Sequence, residues 1–185
     1  MDETSDRRRS IHHDTGSPLD EFHESLVALL PRLRRLARAL ARSEVDANDL
    51  VQDTVERALS KRSGFRPGTR LDSWTFTIMR RLFIDQGRAS TRWGRVVSPA
   101  TEATEAVADA SMAGEGLRAD ALAVRTAIHA LPRDQQLAVA LVLIDGLSYA
   151  EAAVVAGVPA GTLTSRLVRA RQTLIQTLAA QGVSA

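Results

Sequence analysis

The sequence predicts an all-α fold of two small helical domains joined by a flexible linker, the second ending in a helix-turn-helix. Three observations predict it. Apolar residues recur at three- and four-residue spacing in both halves of the chain. Between the halves, residues 96–117 are rich in Ala, Ser, Thr and Gly and show little periodicity, which reads as a linker. Near the C-terminus, GLSYAEAAVVAGVPAGTLTSRLVRARQTL (Gly146–Leu174) combines a capping Ser, a Gly turn and two apolar stripes at the spacing of two crossed helices. No internal repeat and no convincing strand competes with this reading. At 185 residues, each domain is just long enough to bury a core of its own.

Residues 1–17 have almost no apolar content and mixed charge, so a disordered tail is expected. Its His12 and His13 lack any further ligand cluster and read as solvated side chains, so no metal site is expected. The first domain, 18–95, opens with a helix carrying Phe22, Leu26, Leu29, Leu30, Leu33, Leu36 and Leu40 on one stripe. Pro31 should kink it or start a new turn, because proline removes one hydrogen bond. Arg32, Arg34, Arg35, Arg38 and Arg42 decorate the same helix, as a solvated face or as a partner contact. A second helix is expected from about Asp46, a good capping residue, to about Arg62. Gly64 and the Pro67-Gly68 pair mark a loop. A third helix from Leu71 or Asp72 to near Gly87 carries Trp74, Ile78, Leu82 and Phe83 inward. The last domain, 118–180, has a helix near 118–130, a helix start at Pro132 reaching about Asp145, and then the helix-turn-helix.

Composition excludes several classes of function. Without cysteine, disulfides, thiolate zinc sites and thiol redox chemistry are ruled out. No run of 18 apolar residues exists and the N-terminus is charged, so a soluble cytoplasmic protein without membrane insertion is expected. No Gly-rich phosphate loop, Cys/His cluster or nucleophile motif appears, so neither enzyme activity nor a cofactor is expected. The net charge is only +2, but its distribution is uneven. Residues 66–95 hold Arg66, Arg70, Arg80, Arg81, Arg88, Arg92 and Arg95 against Asp72 and Asp85. No Asp or Glu follows Glu151, whereas Arg166, Arg169 and Arg171 do, so a polyanion meets little repulsion there. Lys61 is the sole lysine, and coding bias toward arginine is a plain explanation of that imbalance.

In the helix-turn-helix, Ser148 caps a helix whose apolar face is Ala152, Val155 and Ala156. Gly157 supplies a left-handed turn and Val158 plugs the angle between the helices. Pro159 precedes the second helix, where Leu163 and Leu167 face inward. Thr162, Thr164, Ser165, Arg166 and Arg169 are left outward, near the end that would enter the major groove. Arg grips guanine or phosphate, while Thr and Ser suit backbone contacts or thymine methyls. Without further information the alternative is an ordinary amphipathic hairpin.

Together with DLVQDTVERAL (Asp49–Leu59) and FRPGTRLDSWTFTIMRRLFIDQGR (Phe65–Arg88), this stretch resembles the extracytoplasmic-function, or group IV, sigma factors of bacterial RNA polymerase. The resemblance covers most of residues 19–90 and 120–178. It implies that 18–95 is a region 2-like domain that binds core polymerase and the −10 element, and that 118–180 is a region 4-like domain that reads −35. By carry-over, Asp49, Leu50, Gln52, Asp53 and Arg57 form the face for the β′ clamp; on spacing alone the Asp49, Asp53 and Glu56 stripe is equally a solvated surface. Phe65, Ile78 and Arg81 would line a pocket for a flipped −10 base, with Arg80 and Arg88 toward phosphate. Trp74 reads as a core anchor rather than a stacking platform. Tyr149, Thr162, Thr164, Ser165, Arg166 and Arg169 would contact −35 DNA. The chain departs from many members at Arg81, where they carry Asn, and at Thr164, where several place a longer basic residue. The family further implies an anti-sigma partner, a stress or envelope regulon and a free monomer. A sigma-like decoy that engages only the anti-sigma protein is the alternative, followed by a stand-alone helix-turn-helix regulator.

Overall fold

The computed structural model describes residues 18–93 and 115–181, so the expected tail and nearly all of the linker lie outside the described residues. Seven α-helices make up the described parts: α1 (Pro18–Leu40), α2 (Glu44–Ser60), α3 (Leu71–Trp93), α4 (Glu115–Ala130), α5 (Arg133–Val139), α6 (Tyr149–Ala156) and α7 (Ala160–Ala180). No strand occurs among the described residues.

Leu26, Leu29, Leu33, Leu36 and Leu40 of α1 are all buried, because three- and four-residue spacing keeps them on one face. The helix continues through Pro31, which is exposed, so the expected break does not occur. One missing hydrogen bond is offset by the packed stripe on either side of it. The second helix is capped by Ser43 rather than Asp46: the Ser43 hydroxyl accepts from the Asp46 amide at 3.0 Å. The same bond satisfies an otherwise orphan donor. Beyond Gly87, α3 runs on to Trp93. Phe76 and Met79 join Ile78, Leu82 and Phe83 in its buried set, while Trp74 is half-buried.

In the second half, α5 passes directly into a π-helical turn over Ala140–Ile144, in which the Asp145 amide donates to Ala140 O. The helix-turn-helix forms as the spacing requires. Ser148 and Glu151 make a reciprocal capping box, Gly157 adopts φ 64°, and Leu163, Leu167 and Ala170 anchor α7.

The two halves are docked, a relation that the sequence leaves open. One contiguous set of buried side chains runs from Leu26 in α1 to Ala170 in α7. Across the junction, α3 packs on α6, and α1 packs on α4, α5 and the π turn.

Candidate nucleic-acid interface

On α2, Asp49, Gln52, Asp53 and Arg57 point to solvent, with the Gln52 amide donating to Glu56 Oε1 at 3.0 Å. Leu50 does not join them. It is 0% exposed and sits inward with Ala47, Thr54 and Ala58, one turn apart on the opposite face. Its place is beneath the proposed polymerase face rather than on it.

Ile78 and Arg81 lie together, as their three-residue spacing on α3 requires. With Arg57, Lys61, Gly64, Trp74 and Thr77 they line a hollow of about 200 Å³. Phe65 is not in it. Its ring packs between Phe22 and Trp74, at centroid distances of 5.7 and 5.4 Å, and borders a neighbouring hollow of about 500 Å³ with Leu71 and Pro67. Trp74 is therefore both a half-buried anchor and a wall of the Arg81 hollow. Sequence reasoning missed Phe22 as the third ring, although its place at the head of the α1 stripe was the available signal. Arg80 is turned away from Arg81, and its Nη1 donates to Val155 O of α6 at 3.2 Å. Burial, followed by the charges of Arg81 and Arg166, holds its guanidinium below the ordinary range for arginine. Within this docked arrangement Arg80 does not reach toward phosphate. The Arg88 backbone continues α3, and its side chain lies outside the described residues.

On α7, a residue advances about 100° around the axis, so Gly161, Thr164, Ser165, Val168, Arg169 and Gln172 share the outward side. Thr164 and Arg169 are exposed and Ser165 is half-buried there. Thr162 is half-buried at the edge of this side, and Tyr149, on α6, is 46% exposed. The polar groups are folded back onto their own helix. Thr164 Oγ1 donates to Ala160 O, Ser165 Oγ donates to Thr162 O, and Arg169 reaches the Ser165 carbonyl at 3.2 Å. Arg166 departs from the outward group. It lies on the flank, half-buried, with Nε 3.0 Å from Asp134 Oδ2. Val168, 50% exposed, and Gln172 extend the outward side and were passed over because neither is basic.

No group of three or more His, Asp or Glu among the described residues could hold a metal ion. No described helix is long and apolar enough to cross a membrane.

Two helical modules, one bearing a basic, aromatic-lined third helix and the other a helix-turn-helix, define a chain built to address DNA at two places. Comparison with known proteins agrees. Residues 26–93 match Sigma-70 region 2, and residues 121–174 match Sigma-70, region 4. The ECF RNA polymerase sigma factor EcfG of Rhodopseudomonas palustris is 36% identical over 163 residues, covering 88% of each chain. SigF of Caulobacter vibrioides is 31% identical over 170 residues, 91% of this chain and 89% of that protein. In three dimensions the chain resembles the sigma factor RpoE of Bartonella quintana, solved with the anti-sigma factor NepR, with a TM-score of 0.68 and 31% identity over 86% of this chain and 97% of that one. The chain belongs to the ECF family of RNA polymerase sigma factors.

Proposed function

We propose that this sigma factor places core RNA polymerase on promoters through the exposed α2 side chains Asp49, Gln52, Asp53 and Arg57. The Ile78–Arg81 hollow would take a −10 base and the outward side of α7 would take the −35 element. The observation that carries this reading is the joint presence of a complete helix-turn-helix and, on the other module, a hollow whose walls suit a base and whose rim is cationic. Bases stack on aromatic and aliphatic walls while basic rims neutralise phosphate. The modules are assigned to 18–95 and 118–180.

An anti-sigma partner follows from the likeness to RpoE, which was solved with one. Envelope or general stress control is the kind of regulon such restraint suits. The chain has no catalytic role of its own in this reading. It supplies specificity, and polymerase supplies chemistry.

The test is run-off transcription with core polymerase over a promoter library. Start sites that appear only when both proteins are present are expected, and the enriched sequences give both elements at once. Tight duplex binding by the chain alone, with nothing added to core polymerase, would return it to the class of simple regulators. Binding to an anti-sigma protein with no initiation on any promoter would make it a decoy.

A further inference from the structure

The contacts that join the two halves are reciprocal, and each relies on something that the receiving half cannot supply itself. Arg80 of α3 reaches Val155 O in the last turn of α6, where carbonyls have no intrahelical partner. Gln136 of α5, 4% exposed, donates from Nε2 to Ala39 O at 2.8 Å and Leu40 O at 3.2 Å, closing the end of α1 in the same manner. Arg133 of α5 returns the exchange, donating to Phe83 O of α3 with its guanidinium 4.4 Å from the Phe83 ring centroid. Both guanidiniums lie on glycine. A Cβ at Gly157 would stand 2.6 Å from Arg80 Nη1, and one at Gly87 would collide with the Arg133 guanidinium.

Charge reinforces the exchange. Asp145, which follows the π turn and has a side chain only 1% exposed, takes Arg32 of α1 in a fork, Nη2 to Oδ2 at 2.7 Å and Nε to Oδ1 at 3.2 Å. Arg32 also holds Asp72 at 2.9 Å, and Asp72 holds Arg70, which pairs with Glu151 of the α6 capping box. The chain Asp145–Arg32–Asp72–Arg70–Glu151 therefore crosses the junction twice.

Size shows what this closure prevents. A compact chain of 185 residues has a radius of gyration of about 16 Å. Elements at −35 and −10 lie about 25 base pairs apart, or about 85 Å of B-form DNA at about 3.4 Å per pair. Docked halves cannot occupy both elements together, and docking also withdraws Arg80.

We propose that this junction is an autoinhibitory latch of the free chain, and that Arg133 on Gly87, Arg80 on Gly157 and Asp145 on Arg32 set its strength. The proposal rests on the sigma reading only for what the latch opposes. A chain open for a fraction of the time binds an open-form partner more weakly by that fraction. Loosening the latch should therefore tighten binding to core polymerase without adding any contact to it.

The test uses the full chain. Because it has no cysteine, Val45→Cys on α2 and Ile175→Cys on α7, at positions 68% and 62% exposed, place one spin label on each half. The parent should give one short, narrow distance distribution. Gly87→Ala favours helix propensity in α3 yet evicts the Arg133 guanidinium, and Arg133→Gln removes the same contact from a solvent-facing side chain. Each should shift the distribution to longer and broader distances, with unchanged far-ultraviolet circular dichroism, and lower the apparent Kd for core polymerase at least about threefold. Distances unchanged in both variants would overturn the latch. Wider distances with unchanged polymerase affinity would overturn its inhibitory role. If parent and variants all failed to bind polymerase, the sigma reading would fall and take autoinhibition with it, while the distances would still decide whether these residues hold the halves together.

Discussion

At the residue scale the arrangement of Arg166 and Arg169 separates two kinds of contact. Arg169 stands on the outward side of α7 with no carboxylate beside it, whereas Arg166 is held by Asp134. Arg169→Ala should therefore weaken duplex binding about equally on every sequence and reduce the salt slope by about one, as expected for a phosphate contact. Asp134→Ala should release Arg166. An ion pair this exposed is worth up to about 1 kcal/mol, so promoter affinity should rise by up to about fivefold, measured by fluorescence anisotropy. A fall in affinity would show that Asp134 positions Arg166 rather than competing for it. On α2, Asp53→Ala should weaken association with core polymerase while leaving helicity intact, since an exposed charge contributes little to folding; unchanged affinity would return the acidic stripe to a solvated role. His129 offers a pH readout. Burial first, then the charges of Arg125 and Arg42, holds its imidazole below the ordinary histidine range, and its Nε2 is buried without a hydrogen-bond partner. With the folded pKa depressed, the unfolded chain takes the proton more readily. The stability present above about pH 6.5 is lost as pH falls below that value toward the folded pKa. Urea midpoints should decline between about pH 7 and pH 5.5, and His129→Leu should flatten the decline in that window.

At the scale of elements, legibility follows the range of the forces involved. The α6–α7 unit was readable almost residue by residue, because a capping Ser, a left-handed Gly and i, i+4 apolar pairs all act within one or two turns. Ser148→Ala tests how much that local logic contributes. Loss of the capping box should cost about 1 kcal/mol in chemical denaturation, with Glu151 left to serve Arg70 alone. The uninterrupted α1 was not readable, since Pro31 argues locally for a break and only the packed leucines on both sides override it. The start of α2 was misplaced for a similar reason: Ser43 and Asp46 are both good caps, and composition does not choose between them. Among the site residues, Ile78 and Arg81 were legible as a pair because one helix fixes their spacing. Phe65 was not, because its ring is placed by Phe22, more than forty positions away. Leu50 was misassigned by carrying over a motif whole, although its spacing with Ala47, Thr54 and Ala58 already marked the inward face.

For the whole molecule, the docking of the halves is what sequence patterns cannot convey, since each contact pairs residues about forty or more positions apart through groups that look like ordinary surface charge. Arg32 reads as decoration on α1 until Asp145 appears beside it, 113 positions away. Asp72, wedged between Arg70 and Arg32, has a carboxyl held well below the usual carboxylate range, chiefly by its hydrogen bond to Arg70. Part of this network is open to solvent, so salt should loosen it: the Debye length falls from about 10 Å at 0.1 M to about 3 Å at 1 M. The distance between labels on α2 and α7 should lengthen over that range in the parent chain and change far less in Asp145→Asn, whose network is already cut. The π turn over Ala140–Ile144 bears on how such a junction could arise or disappear. A π turn holds one residue more than the α-helical turn it replaces. Deleting Val142 would let the segment rewind as plain α-helix and carry Asp145 about 100° around the axis, away from Arg32. No charged residue would have changed, and α6 and α7 would keep their own sequence. In lineages where indels are tolerated, the coupling between the two promoter-reading modules could thus be gained or lost in a single step of one codon.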